Sequence, residues 1–97
     1  MFDFEGMARL MGELGRIKEA LRGVRIETTE GPVSLTLNGL QEVIRVKVDG
    51  KGAGSQSVLE AKIAGCFNKA ILASRRAAKE EIERITGWNI PDIPGLL

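Results

Sequence analysis

The stretch VSLTLNGLQEVIRVKVD, residues 33 to 49, constrains the fold more than any other part of the chain. Val33, Leu35 and Leu37 alternate with Ser34 and Thr36, and Ile44, Val46 and Val48 alternate with Arg45 and Lys47. A period of two sends one set of side chains to a core and the other to water, the pattern of a half-buried strand. Between the two runs, Asn38-Gly39 is the dipeptide that most readily takes the positive φ angles of a tight hairpin turn. Leu40 and Gln41 lengthen the connection and leave the register open. A hairpin alone is marginal in water, so the segments on either side must cover its apolar face.

Upstream, residues 5–22 are predicted to form a helix. Met7, Leu10, Leu14, Ile17, Leu21 and Val24 recur at spacings of 3, 4, 3, 4 and 3, a heptad seam of the kind helices use to pack lengthwise on one another. Gly12 and Gly15 lie off the seam and each weakens the helix by about 1 kcal/mol relative to alanine, so the helix depends on a partner surface. Val24 to Glu30 alternates and is rich in β-branched residues, which predicts a first strand, and Gly31-Pro32 is a turn signal. Downstream, GKGAGS (residues 50–55) reads as a flexible connection. It lacks the G-x-x-x-x-G-K-[ST] order of a phosphate loop, and its lysine stands near the start. Ser55 or Ser57 is placed to cap a second helix, with Glu60 close to the position that completes a capping box.

The second helix is predicted from Gln56 to Thr86, about 45 Å at 1.5 Å per residue. Its apolar residues (Leu59, Ile63, Cys66, Phe67, Ala70, Ile71, Ala78, Ile82, Ile85) fill an arc of about 160°. Glu81 intrudes near the end of that arc, so the last turns are expected to leave the core and project. Gly87 sits at the place of a C-terminal cap. Trp88 is expected to fold back on the helix end, and the two prolines of the tail forbid helix there and suggest mobility. The fold class is therefore α+β, with a three-stranded antiparallel sheet and a long C-terminal helix in one domain over 1–97: helix 1–23, sheet 24–49, long helix 56–86 and tail 87–97.

A chain of 97 residues has limited area to bury, which makes self-association a reasonable expectation. Leu10, Leu14, Ile17 and Leu21 of the seam, with Val33, Leu35 and Phe67, are the candidate dimerisation residues. The single cysteine, Cys66, excludes an internal disulfide and reads as a small buried thiol. No segment has the order of a signal peptide or the roughly 20 apolar residues of a membrane span. With no histidine and no tyrosine, the commonest general base and metal ligand are missing. Neither an enzyme, a cofactor, a metal, a membrane nor a small-molecule substrate is expected.

The net charge is only +1, so any basic site must come from arrangement. From Ala61 to Lys79 there is no acidic residue but there are five basic ones: Lys62, Lys69, Arg75, Arg76 and Lys79. Lys62, Lys69 and Arg76 are seven apart and drift only about 20° per step, forming one stripe about 20 Å long. Lys79 continues that flank, and Arg75 lies on the opposite one. Such a stripe matches a polyanion with one charge per about 1.7 Å of duplex axis. These five residues, with Arg9 and Arg16 of the first helix, are the candidate DNA contacts.

Taken together, the chain resembles the YbaB/EbfC family of small bacterial nucleoid-associated proteins. The likeness covers nearly the whole sequence. It includes Met7 and Leu10 in the first helix; Val33, Leu35, Asn38-Gly39, Val46, Val48 and Asp49 in the hairpin; Phe67-Asn68-Lys69-Ala70 in the long helix; and Thr86-Gly87 followed by Ile93-Pro94-Gly95. It departs where Trp88 replaces a common second glycine and where the GKGAGS loop is short and not acidic. The resemblance implies an α-β-β-β-α subunit and a homodimer joined through sheets and helices, with the long helices projecting like tweezers. It also implies binding of double-stranded DNA in the cytoplasm and nucleoid with little sequence preference. A protein-interaction module acting near replication or recombination without touching DNA is the alternative, favoured by the near-zero net charge and the apolar tail.

Overall fold

The computed structural model describes residues 4–89 and 91. Its elements run α1 (Phe4–Gly23), β1 (Ile26–Glu30), β2 (Val33–Leu37), β3 (Val43–Val48), a 3₁₀ turn (Gly50–Gly52) and α2 (Gln56–Thr86). The α-β-β-β-α order and the antiparallel sheet, in strand order β1-β2-β3, are those expected. The tail's Ile93-Pro94-Gly95 lies outside the described residues.

The register follows the alternation. Ile26 to Glu30 pair with Leu37 to Val33, and Val33, Leu35 and Leu37 pair with Val48, Val46 and Val43. Directly opposed residues share a face, so the inward rows of β2 and β3, with Ile26 of β1, form one apolar surface, which Thr28 and Glu30 of β1 border. A register shift at Thr36/Leu37 makes Ile44 the extra residue of a bulge, which the unbroken alternation of Ile44, Val46 and Val48 did not foretell.

The turn between β2 and β3 also differs from expectation. Asn38-Gly39 does not supply the positive φ; Gln41 does, at φ 64. Asn38 is instead the hub of a longer loop. Its side-chain carbonyl accepts from the amides of Leu40 (2.9 Å) and Glu42 (3.0 Å), its amide group donates to the Glu42 carboxylate (2.7 Å), and its backbone N–H donates to the Glu42 carbonyl (3.1 Å). Asn38 is buried, and these bonds satisfy it. Gly39 is required for close approach. Its N–H donates to the Leu21 carbonyl at 2.8 Å, and a Cβ there would stand 2.9 Å from that same oxygen.

The core forms where α2 crosses β1 and β2. Cys66, Ala70, Ser74 and Ala78, four apart, are its buried residues, a narrow ridge that lets the helix approach Val33, Leu35 and Leu37 closely. Leu59, Ile63, Phe67 and Ile71 flank the contact. Burying each large strand side chain contributes about 1.5–3 kcal/mol. Two members of the ridge are polar, and both are satisfied. The Cys66 thiol donates toward the Thr28 carbonyl (3.3 Å), with the Val33 carbonyl at 3.7 Å, and burial pushes its pKa up. The Ser74 hydroxyl donates to the Asn38 carbonyl at 2.7 Å, tying the helix to the loop.

Local signals set the ends of α2. Ser55 is the N-cap, its hydroxyl accepting from the Val58 amide at 3.3 Å; with Ser55 in that role, the capping-box position falls on Val58 and Glu60 does not close a box. Gly87 caps the C-terminus with φ 74, its N–H reaching the Glu83 carbonyl at 2.8 Å. The GKGAGS segment, expected as a flexible connection, is built as a turn: Asp49 accepts from the Lys51 amide at 3.1 Å, and Ala53 is buried.

α1 returns along the second half of α2, with its early residues beside Ile85 and Trp88. Leu21 is its one buried residue. Ile17 and Val24 of the seam are half-buried, and Met7, Leu10 and Leu14 stay open, 40–51% exposed. The extents are 61 × 24 × 21 Å and the radius of gyration is 17.5 Å, against about 13 Å for a compact chain of this length.

Candidate nucleic-acid interface

The stripe begins where α2 passes the end of β1. Alternation turns Ile26, Thr28 and Glu30 toward the helix, so the last of these places a carboxylate against α2. Its stem passes over Gly65, where a Cβ would lie in ordinary contact, 3.7 Å from the Glu30 Cγ. The carboxylate sits between Lys62 and Lys69. Lys69 Nζ donates to Glu30 Oε2, and Lys62 Nζ lies 3.9 Å from Oε1. The hydrogen bond and charge of Lys69 hold the Glu30 carboxyl below the usual range, and Glu30 in turn raises the Lys69 ammonium above its own. Both groups are charged at neutral pH.

Farther along, the stripe is open. Arg76 is exposed, Arg75 and Lys79 are half-buried, and none of the three makes an ion pair with another described residue. Acidic residues resume at Glu80. Glu81, half-buried as its place in the apolar arc suggested, is held by Arg84, whose Nε is 3.2 Å from Oε2.

The two α1 arginines lie on the helix that packs on α2. Arg16 pairs with Glu13 at 2.7 Å on an exposed turn. Arg9 lines a cleft of about 450 Å³ with Leu10, Leu14, Ile17, Ile85 and Trp88, and Ile85 is about 9 Å along α2 from Lys79, the last cation of the stripe. Trp88 stands at this cleft, 66% exposed, so it edges α1 and does not seal the helix end; its backbone N–H bonds to the Thr86 hydroxyl at 3.1 Å.

Two features of the charged surface escaped the sequence reading. Arg45 and Lys47 lie with Ser34, Thr36 and Glu27 on the sheet face away from α2; their spacing of two was the available signal. Glu30 is 39 residues from Lys69, and no local pattern could pair them.

The candidate dimerisation residues separate in a similar way. Val33 and Leu35 have no exposed surface and Leu21 is buried, all within one subunit. Phe67 is half-buried against the core. Leu10 and Leu14 remain open, and Ile17 lies partly so in the cleft. β3, whose alternation predicts a core-facing row, is also uncovered, exposed at every position. Among the described residues, no group of three potential metal ligands comes together, and no helix is long and apolar enough to cross a membrane.

Comparison with known proteins bears on the family and the fold. The model of the YbaB/EbfC DNA-binding family matches residues 3–88. A nucleoid-associated protein of Syntrophobacter fumaroxidans is 36% identical over 95 residues, covering 93% of this chain and 82% of the relative. One from an Anaeromyxobacter species is 35% identical over 83 residues, covering 80% and 81%. The crystal structure of an uncharacterized protein from Helicobacter pylori superposes with a TM-score of 0.69 over 88% of this chain and 98% of that one, at 18% identity, a likeness of fold. With the family model spanning both helices and the whole sheet, the chain belongs to the YbaB/EbfC DNA-binding family.

Proposed function

We propose that this protein is a homodimer that holds double-stranded DNA by its phosphates, with little sequence preference, and contributes to nucleoid organisation in the bacterial cytoplasm. The observation that carries the reading is the α2 stripe. Five cations fall between Ala61 and Lys79 with no acid among them, Lys69 and Arg76 are exposed, and the family is a DNA-binding one. Phosphate contacts position a protein on a duplex without reading bases. The self-association is supported by β3, whose Val43, Val46 and Val48 are 43–53% exposed at an open sheet edge, a surface that invites a second strand. Pairing of two copies doubles the number of phosphate contacts, so occupancy falls steeply with salt.

The test is the double reversal Lys69→Glu/Arg76→Glu. It abolishes retention of a duplex in a low-salt gel shift while the circular dichroism spectrum stays that of the parent; equal retention by both proteins removes the stripe from the interface. Salt-titrated binding curves on two unrelated duplexes coincide if sequence is not read. A second reading draws on the same uncovered strand: a module that binds another protein and leaves DNA alone. It predicts a lone folded subunit in sedimentation at micromolar concentration and no retention of plasmid at about 50 mM salt.

A further inference from the structure

The stripe is not uniform. Its first two cations, Lys62 and Lys69, already hold an anion, and the rest hold none among the described residues. Glu30 is placed for this by three independent features. It is the last residue of β1, on the face turned to the helix. It lies over Gly65, the glycine of α2 between the two lysines. The Gly31 turn that follows lies 3.4 Å, measured from where its Cβ would be, from the Lys62 Cδ, so the lysine stem runs along the turn and its ammonium is carried to the acid. A carboxylate with two oxygens shared between two ammonium groups offers them what a backbone phosphate would.

We infer that Glu30 is a built-in competitor for phosphate: it occupies Lys62 and Lys69 in the free protein, and a nucleic-acid phosphate must displace it to use that half of the stripe. This rests on the DNA-binding reading above and adds a device to it. Arg76 and Lys79, unpaired among the described residues, engage first. Lys62 and Lys69 follow only at the expense of the internal pair, so Glu30 sets the affinity below what five cations would give and keeps the protein exchangeable on DNA.

The test compares the parent, Glu30→Gln and Glu27→Gln in anisotropy titrations of a short labelled duplex from about 50 to 200 mM salt. Glu27 is on the same strand, exposed, on the sheet face away from α2, so its variant makes the same net charge change at the wrong place. Glu30→Gln is expected to bind at least about threefold tighter and to steepen the dependence of log K on log salt by about 1 to 2 per subunit, as one or two more cations reach phosphate. Adding Lys69→Gln to Glu30→Gln removes the gain. Equal binding by parent and Glu30→Gln overturns the inference, as does an equal gain in Glu27→Gln. If the glutamine variant fails to fold, Glu30→Thr, compatible with a strand, takes its place.

Should none of these proteins bind duplex, the DNA-binding reading falls, and elution from immobilised heparin decides the competitor separately. Later elution of Glu30→Gln than of both parent and Glu27→Gln supports it, and co-elution of all three overturns it.

Discussion

β2 and β3 lie side by side in one sheet and send rows of branched apolar side chains to the same face, yet they meet different surroundings. Val33, Leu35 and Leu37 are 0–1% exposed, whereas Val43, Val46 and Val48, their cross-strand partners, keep 43–53% of their surface. The cause is width. An α-helix with its side chains is about 10–12 Å across, and strands are about 4.8 Å apart, so one helix covers about two strands. α2 takes β1 and β2, and its ridge of small residues fits it closely there. β3 is left at the open side with an apolar row and an unpaired edge, and α1, with its own open seam, does not reach across to it.

Substitutions on the two strands should therefore fail in different ways. Leu35→Ala is expected to have the largest effect, a loss of about 2–5 kcal/mol in urea unfolding that is the same at every protein concentration, because the residue is enclosed within one subunit. A loss that vanished on dilution would mean that the core of β2 depends on the partner. Next is Gly39→Ala, at the loop that joins the strands. A methyl group 2.9 Å from the Leu21 carbonyl oxygen must push α1 from the sheet or break the Gly39 bond, for about 1–3 kcal/mol. A neutral result would show that α1 is held elsewhere.

Val46→Asp, on β3, is expected to leave the subunit's far-ultraviolet spectrum intact but to raise the dimer dissociation constant at least about tenfold, or about 1.4 kcal/mol. Sedimentation velocity across a dilution series reads this directly, and an unchanged dimer would move the proposed interface away from β3. Unlike the Leu35 effect, the loss of subunit stability that follows from weaker pairing grows with protein concentration.

The smallest effect belongs to the exposed pair at the end of β1. Glu30 is depressed below its usual 4.5, chiefly by the Lys69 hydrogen bond and charge. A depressed carboxyl contributes stability above its unfolded pKa and loses it as pH falls through the folded value. Any melting-temperature advantage of the parent over Glu30→Gln should thus be present at neutral pH and close below about pH 4.5. Screening by water keeps it small. An advantage that persisted into strong acid would mean that the side chain's packing over Gly65, and not its charge, is what matters.

Much of this architecture was legible in the chain. Alternation located three strands, helical spacing located two helices, and Ser55 and Gly87 marked the ends of the second. The stripe of Lys62, Lys69 and Arg76 was legible too, because residues seven apart on a helix share a side whatever the helix packs against. The Asn38-Gly39 pair was legible as a turn but misleading as to its type. Both residues answer to distant groups, the Ser74 hydroxyl and the Leu21 carbonyl, and not to the geometry of a two-residue hairpin. Ser74, being a serine, does not register in an apolar arc, although its spacing of four from Ala70 and Ala78 puts it on the buried ridge.

By itself, then, the sequence determined the order, the kind and the facing of each element, since these depend on neighbours within a turn or a strand pair. Only the tertiary structure decided which apolar face is covered and which cation is already paired. Those outcomes depend on where one helix of limited width comes to rest on a wider sheet, and that position is set by contacts between residues dozens of positions apart, such as Glu30 with Lys69 and Asn38 with Ser74.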